Sequence, residues 1–399
     1  MASLRNVVIV DAARTPIGSF NGSLKDISAP KLGSIVIKAL IERSKIKPEI
    51  VDEVIMGNVL PANEGQAPAR QAALGAGLPN TVQCMTINKV CGSGLKSVML
   101  AAQAIMAGDA DIIMAGGMEN MSQVPYYLEG ARFGMKMGNK TLIDGMVKDG
   151  LWDVYNDFHM GNAAELCARE CDITREDQDS YAEMSYKRAQ EAIENGRFED
   201  EIVAVSIPKR KGDTLKFDTD EEPYKVKFDK LRKLRPAFDK DGSVTAANAS
   251  SINDGAAAVL LMSEEKAKIL GLKAMVKIIS QASAAKAPEY FTTAPADAVK
   301  KALSKADLSI NDIDLFEINE AFAVVSIINN RLLGLTSERV NVNGGAVALG
   351  HPIGASGARI LTTLLHEMKK SDLKRGLASL CIGGGEASTL IVEKVSGGV

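Results

Sequence analysis

Cys91 is the residue whose surroundings in the sequence most clearly favour chemical reactivity. It follows a strand-like stretch at residues 82–87 and precedes Gly92-Ser93-Gly94, after which a helix is predicted. A cysteine at such a strand-to-helix turn lies in the positive field of the helix N-terminus, which favours the thiolate. The glycines leave the approach to the sulfur open. A small cysteine buried in a tight turn is the alternative interpretation.

His351 is the histidine best placed to act with such a thiol. The chain has three histidines, and His351 alone lies in a glycine-dense loop, at residues 343–354, with Pro352 beside it. A base within reach of a cysteine is the usual arrangement for an activated thiol nucleophile. A histidine that only satisfies hydrogen bonds of its loop is the alternative. His366 lies in an amphipathic helix and is predicted to be a surface or packing residue.

Two further positions could stabilise charge or move a proton. Cys381 ends a predicted strand and is followed after one residue by Gly383-Gly384-Gly385, whose N–H groups could bind an oxyanion. Asn319 follows another predicted strand, where its amide could hold a water molecule or polarise a carbonyl group. Cys381 and Cys91 are both predicted at the same end of a sheet.

The elements that must position these residues alternate between strand and helix and repeat once along the chain. Residues 29–58 and 294–319 share a helix followed by a strand, and residues 93–117 and 356–384 share a second helix and strand. Alternation of this kind predicts a mostly parallel sheet covered by helices. Chance similarity between two α/β segments is the alternative, but four landmarks in the same order favour a duplicated domain. Strand 111–115 is expected to end in a Gly-Gly turn.

The middle of the chain, residues 122–251, has a different character. It contains the only tryptophan, Trp152, and a run of charged residues at 209–235. One helix is predicted at 175–195, with Thr174 as its capping residue. We interpret this region as a loop-rich insertion that covers one end of the sheet, where α/β folds place ligand-binding loops.

Composition limits the possible classes of protein. The 399 residues exceed what one hydrophobic core usually organises, so two or three domains are expected. A 46% hydrophobic and 24% charged composition with a net charge of -3 favours a globular protein that binds neither nucleic acid nor a membrane. No secretory signal, long apolar run or Ser-Lys-Leu ending is recognised, and a cytoplasmic location is expected. Five irregularly spaced cysteines predict free thiols.

Four motifs together resemble the signatures of the thiolase family. In chain order they are Cys91-Gly92-Ser93-Gly94, Asn319-Glu320-Ala321-Phe322, Gly350-His351-Pro352-Ile353-Gly354 and Cys381-Ile382-Gly383-Gly384-Gly385. Further matches lie across nearly the whole chain, at Arg14-Thr15-Pro16 and at residues 65–71, 116–122 and 248–256. Each motif alone is weak, and the set is specific.

The resemblance implies an α/β fold of two duplicated βαβαβαββ halves. These would form a five-layer α/β/α/β/α core with an inserted loop domain. The domains expected from it are an N-terminal half at residues 1–121 plus 252–273, a loop domain at 122–251 that holds CoA and the acyl group, and a C-terminal half at 274–399.

The resemblance also implies that the chain is an acetyl-CoA C-acetyltransferase. Such an enzyme converts two acetyl-CoA molecules reversibly into acetoacetyl-CoA and free CoA. Cys91 would carry the acetyl group, His351 would activate it, and Cys381 would exchange the α-proton. Asn319, through a water molecule, and His351 would form one oxyanion hole, and the N–H groups of Cys91 and Gly383 the other. No metal and no redox cofactor is implied, since coenzyme A is part of the substrate and the product.

Substrate contacts are carried over from the same resemblance. The stretch 156–161 is similar to the acetoacetyl-CoA-specific branch, in which a His-Met pair closes the acyl pocket to long chains. The implied contacts are Leu151, His159, Met160, Phe238, Ala246, Ser250, Ala321 and Phe322. At 222–228 the chain departs from the bacterial biosynthetic pattern, which has an arginine against the adenine. A homo-oligomer, a tetramer built as a dimer of dimers, is implied as well.

Three rival interpretations remain at this point. A thiolase that accepts a broader range of 3-ketoacyl chains would share every motif. A ketoacyl synthase or hydroxymethylglutaryl-CoA synthase would have the same fold, but such enzymes generally have histidine or lysine where Cys381 stands. A non-catalytic acyl-CoA carrier of the same fold would not need all four reactive positions.

Overall fold

The structure, a computed structural model, describes residues 4–209 and 212–395. Residues 1–3, 210–211 and 396–399 lie outside it. Those residues include the C-terminal ending and part of the charged run considered in the sequence. The first part of the chain alternates between strands and helices as expected, with β1 Val7–Arg14, β2 Gly18–Ser19, α1 Ala29–Ser44, β3 Glu53–Gly57, α2 Pro68–Gly75, β4 Gln83–Ile87, α3 Ser93–Ala107 and β5 Ile112–Asn120.

The middle region has two long helices and several short hairpins. Its elements are β6 Tyr126–Tyr127, β7 Ile143–Asp144, β8 Trp152–Asp153, β9 Phe158–His159, α4 Met160–Glu170, α5 Arg175–Glu194, β10 Val205–Pro208, β11 Thr214–Phe217 and α6 Phe228–Leu231. Helix α5 begins where the sequence predicts, because Thr174 and Asp177 form a reciprocal capping box.

The remaining elements complete the fold. They are β12 Asn253–Ser263, α7 Glu264–Ile269, β13 Val276–Ala285, α8 Ala294–Lys305, β14 Leu315–Ile318, α9 Ala323–Leu333, α10 Ala346–Leu349, α11 Ile353–Lys370, β15 Arg375–Ile382 and β16 Glu386–Lys394.

The strand order shows the duplication directly. In the first half β3 is parallel to β5, and β5, β12 and β1 follow as antiparallel neighbours. In the second half β14 is parallel to β15, and β15, β16 and β13 follow in the same way. The halves meet where β1 pairs with β13 through Val8↔Lys277 and Ile9↔Val276. The first half has the additional strand β4, parallel to β3.

Helices α3 and α11 form the central layer of the core. They pack on each other and on strands of both halves, whereas α1 covers the outer face of the first half and α8 that of the second. Every residue of β12 is buried, as expected for a strand covered on both faces. The stretch Val90–Ala107 is apolar and long enough to resemble a membrane span, but it contains α3, and α3 is a core helix here. The expected five-layer duplicated core is therefore confirmed.

Two predictions are wrong. The main sheet is mixed rather than mostly parallel: among the described strands β3 pairs in parallel with β4 and β5, and β14 with β15, whereas the other pairs of this sheet are antiparallel. Gly116 and Gly117 form no turn but lie inside β5, paired with β12. They are glycines because neighbouring backbone leaves no room for a side chain: a Cβ would lie 2.1 Å from Ala257 O and 2.0 Å from Gly354 O respectively. His366, predicted to be a surface or packing residue, is a packing residue. It is buried in α11, and its Nε2 lies 2.9 Å from the carbonyl oxygen of Ala12.

Candidate active site

Cys91 lies on the tight turn that joins β4 to α3. Val90, directly before it, has φ 45°, a left-handed conformation that is unusual for a β-branched residue and costs about 1–3 kcal/mol. The turn is held by N–H groups of Gly92 and Ser93, which donate to the carbonyls of Lys89 and Val90 at 3.0 Å each. The strained backbone presents the half-buried Cys91 side chain at the end of the first-half sheet.

Gly92 lets the second half of the protein approach this turn. A Cβ on Gly92 would lie 2.3 Å from Cδ1 of Ile382, so any side chain there would push away the end of β15. Ile382 stands between Cys381 and Gly383. The close contact therefore brings the second cysteine and the glycine loop next to Cys91, as the resemblance implied.

His351 is held at two points, one on β12 of the first half and one on α11 of the second. Its backbone N–H donates to Oδ1 of Asn253 at 2.9 Å, and its Nδ1 lies 2.6 Å from Oγ of Ser356. The Ser356 hydroxyl donates its proton to the carbonyl of Pro352 at 2.8 Å. Ser356 Oγ must then accept from Nδ1–H, which leaves the lone pair on Nε2 of His351.

Asn319 lies beside that lone pair. Its Nδ2 is 3.5 Å from Nε2 of His351, and within the described part of the chain its buried Oδ1 has no hydrogen-bond partner. The side chain is 1% exposed. An amide with one uncommitted oxygen beside the imidazole can hold a water molecule, which is the role expected from the sequence.

Burial keeps the resting site neutral. It raises the pKa of Cys91 to about 11, although the N–H groups of Gly383 and of Cys91 itself lower it. Burial also raises the pKa of Cys381, and the neighbouring Cys91 adds to the effect. Burial, and to a smaller extent the positive charge of Arg359, lowers the pKa of His351 to about 3. Desolvation thus opposes the thiolate that the helix N-terminus would favour at Cys91, and it favours the neutral thiol in the resting state.

A cavity of ≈ 240 Å³ opens onto these groups. Ten of the residues singled out in the sequence line it: Cys91, Leu151, His159, Met160, Phe238, Ser250, Ala321, Phe322, His351 and Gly383. The Phe238 ring stacks on His159 at 4.8 Å and meets Phe322 edge-on at 6.2 Å. Burial lowers the pKa of His159. The cavity is thus small, mostly apolar and walled by aromatic rings, as suits a short acyl group.

Three predicted residues lie outside the cavity lining. Cys381 is 1% exposed and packs against the hydrophobic cluster that contains the lining residues Met160, Ala321 and Phe322. Asn319 does not line the cavity but lies beside His351, which does. Ala246 is exposed. The remaining lining residues had no predicted site role and are Met121, Gly150, Ala249, Ser251, Ile252, Phe291 and Ile353. Most lie in or beside the matched motifs, whereas the sequence around Phe291 offered no signal.

Metal binding finds no support in the residues that can be described. Within 4–209 and 212–395 no group of three or more His, Cys, Asp or Glu side chains has a metal-binding arrangement. Cys91, His351 and Gly383 bring a thiol, an imidazole and a backbone N–H to the cavity, and the Cys381 thiol and the Asn319 amide lie beside Cys91 and His351. Their chemistry is proton transfer, nucleophilic attack and oxyanion binding.

Comparisons with known proteins agree with this geometry. The models of the thiolase N-terminal and C-terminal domains match residues 7–265 and 272–394. An acetyl-CoA acetyltransferase of Cupriavidus necator is 58% identical over 98% of this chain and 100% of its own length. One of Schizosaccharomyces pombe is 54% identical over 98% and 99%. The crystal structure of the Bacillus anthracis acetyl-CoA acetyltransferase superposes with a TM-score of 0.96 at 43% identity, covering 99% of this chain and 100% of that one.

Proposed function

Because the chain belongs to the thiolase family, we propose that it is an acetyl-CoA C-acetyltransferase. It condenses two acetyl-CoA molecules into acetoacetyl-CoA and free CoA, and it catalyses the reverse thiolysis. The observation that carries the proposal is that Cys91 and His351, from opposite halves, line one small apolar cavity, with Cys381 next to Cys91 and Asn319 next to His351.

The first half-reaction moves the acetyl group to Cys91. Nε2 of His351 takes the thiol proton while the sulfur attacks the thioester carbonyl, and the N–H groups of Cys91 and Gly383 stabilise the oxyanion. A new S–C bond forms, the S–C bond to CoA breaks, and the thiol of Cys381 protonates the departing CoA sulfur. Both thiols start protonated and the imidazole neutral, which agrees with the direction in which burial shifts each pKa. The products are acetyl-Cys91, an imidazolium and the Cys381 thiolate.

The second half-reaction returns each proton. The Cys381 thiolate takes an α-proton from a second acetyl-CoA, and His351 with a water molecule on Asn319 stabilises the enolate oxygen. The enolate carbon attacks the acetyl carbonyl of acetyl-Cys91, which forms the C–C bond and expels the Cys91 thiolate. His351 returns its proton to Cys91. All groups are then back in their starting states, and neither a metal nor a redox cofactor takes part.

The pocket residues set the substrate. His159, Met160 and Phe238 hold the acyl group in a space that suits four carbons, and Leu151, Ser250, Ala321 and Phe322 line the path of pantetheine. Ala246, on the surface, lies farther along the CoA molecule. In the cell we expect a cytoplasmic homotetramer, a dimer of dimers, that serves lipid metabolism and binds acyl-CoA rather than nucleic acid or membranes.

Thiolysis with a series of substrates tests the proposal. The protein should cleave acetoacetyl-CoA at least tenfold faster than the six- and eight-carbon homologues. Cys91→Ala should lower the rate by about 10³-fold or more, since nothing else carries the acetyl group. Cys84→Ala is the matched control, because Cys84 is a half-buried free thiol on β4 outside the cavity lining, and its rate should equal that of the wild type.

The same series distinguishes the rivals. Equal rates across chain lengths would favour a broad 3-ketoacyl-CoA thiolase. Binding of acetoacetyl-CoA without any turnover by the wild type would favour a carrier and overturn the proposal.

A further inference from the structure

Glu119 is a buried carboxylate that the proposed mechanism does not use. It is the second-last residue of β5, is 0% exposed and lies in the first half of the fold. Burial raises the pKa of Glu119 to about 8, although the hydrogen bonds that it accepts from backbone N–H groups lower this pKa. A buried acidic group without a compensating cation is costly, so its partners need an explanation.

All the hydrogen-bond partners of Glu119 are donors, and they come from both halves. Its Oε1 accepts from Asn58 Nδ2 at 3.0 Å and from Leu60 N at 3.1 Å. Its Oε2 accepts from Val59 N at 3.0 Å and from Gly354 N at 2.8 Å. Four donors facing the two carboxyl oxygens favour the carboxylate form, against the burial and the nearby Glu64 charge that raise the pKa.

One arm of this network leads to the nucleophile. Val59, bound to Glu119 through its N–H, accepts from Asn88 Nδ2 at 3.2 Å with its carbonyl. Oδ1 of the same Asn88 side chain accepts from Val90 N at 2.8 Å. Val90 is the strained residue directly before Cys91. Three consecutive hydrogen bonds thus connect Glu119 to the nucleophile turn.

The other arm leads to the base. Gly354 lies in the first turn of α11, the helix that carries Ser356, whose hydroxyl holds Nδ1 of His351. Contact is close here, since a Cβ on Gly354 would lie 2.5 Å from Glu119 Oε2. A single carboxylate therefore joins the loop behind Cys91 to the helix behind His351, two elements that the chain separates by more than half its length.

We propose that Glu119 is a positioning residue that fixes the relative placement of Cys91 and His351. This inference rests on the proposed function, because it concerns proton transfer between those two groups. Glu119 contacts neither the cavity nor the two residues themselves. It positions them through Val59 and Asn88 on one side and through Gly354 on the other, and its charge also contributes to the raised pKa of Cys91.

The test is Glu119→Gln, which keeps the shape but turns one acceptor into a donor that faces N–H groups. We expect kcat for acetoacetyl-CoA thiolysis to fall about 10- to 100-fold, because small misplacement of reacting groups costs this much. KM should stay within about threefold, because no contact with CoA is lost. Asn88→Ala, which breaks only the arm to Cys91, should lower kcat less, with KM again unchanged.

Glu165→Gln is the matched control. Glu165 is also buried and accepts backbone N–H groups, from Ser243 and Val244, but it connects neither catalytic loop. Its replacement should lower the melting temperature and leave kcat within about threefold.

The inference is overturned if Glu119→Gln and Asn88→Ala both keep wild-type kcat, or if Glu165→Gln loses as much kcat as Glu119→Gln. Should Glu119→Gln not fold, Asn88→Ala alone decides between the two outcomes. An inactive wild type overturns the proposed function, and this inference with it.

Discussion

His351 and Ser356 form the shortest side-chain contact of the candidate site, 2.6 Å between Nδ1 and Oγ, and this contact fixes which ring nitrogen can act as the base. Ser356 donates to Pro352 O and so can only accept from the ring. The proton is thereby kept on Nδ1, and Nε2 faces Asn319 with a free lone pair. The Ser356 hydroxyl, in the first turn of α11, thus holds the imidazole in the form in which Nε2 can accept a proton.

Replacing Ser356 tests that relationship. Ser356→Ala leaves Nδ1–H without an acceptor, which costs about 1–3 kcal/mol and lets the ring turn or change tautomer. We expect kcat for thiolysis to fall about 10- to 100-fold. Thr362→Ala, which removes a buried hydroxyl from the same helix, should lose stability but keep its activity. Equal activity of Ser356→Ala and Thr362→Ala would show that the contact does not orient the base.

Cys381→Ser separates the two half-reactions. The hydroxyl of serine is too weak a base to remove an α-proton, so condensation and thiolysis should fall by about 10³-fold or more. Exchange of labelled CoA into acetyl-CoA involves no α-proton. Because a CoA thiolate can leave without the proton of Cys381, the exchange should become slower but remain measurable. Normal condensation by this variant would exclude Cys381 as the group that moves the α-proton.

Met160 separates the acyl cavity from a second cavity. Met160, Gly150 and Gly383 line both, and the second measures ≈ 480 Å³. Met160→Ala should join the two and move the preferred chain length upward, so that the ratio of eight- to four-carbon thiolysis rises about tenfold or more. Met121→Ala is the control, because Met121 lines the acyl cavity but not the second cavity. If both variants keep the wild-type ratio, the wall is not at Met160.

The lowered pKa of His351 predicts a specific loss of stability in acid. An unfolded histidine takes up a proton below pH ~6.5, whereas the folded His351 stays neutral down to about pH 3. The unfolded state therefore binds more protons in this window, and stability falls as the pH falls. Relative to His351→Gln, the wild type should lose about 2 kcal/mol of unfolding free energy between pH 7.5 and 5.0. Urea unfolding measures this difference, and a constant gap between the two proteins would contradict a buried neutral imidazole.

The reactive residues and the duplicated fold were predictable because their signals are local. A strand end followed by glycines marks Cys91 and Cys381, and the capping residue Thr174 fixes the start of α5. The repeat of helix and strand predicted the duplicated domain, whereas the order of the strands and their mixed directions were not predicted. The predicted features depend on neighbours in the chain, which a sequence displays.

What the sequence did not predict depends on contacts between distant segments. Gly116 and Gly117 are glycines because the backbone of β12 and α11 lies too close for a side chain. Nothing near them in the chain indicates these contacts. The protonation of Cys91 follows from burial by both halves. Glu119 lies in the matched stretch 116–122, but nothing there indicates a positioning role, since its donor at Gly354 is 235 positions away.

The most direct test of the account is to find the acetyl group on the protein. Cys381→Ser, incubated with acetyl-CoA, quenched in acid and digested, should yield the peptide that contains Cys91 with one added acetyl group, and Cys91→Ala treated in the same way should yield none. An acetyl group on any other residue, or none on Cys91 in a protein that cleaves acetoacetyl-CoA, would contradict covalent catalysis by this sulfur.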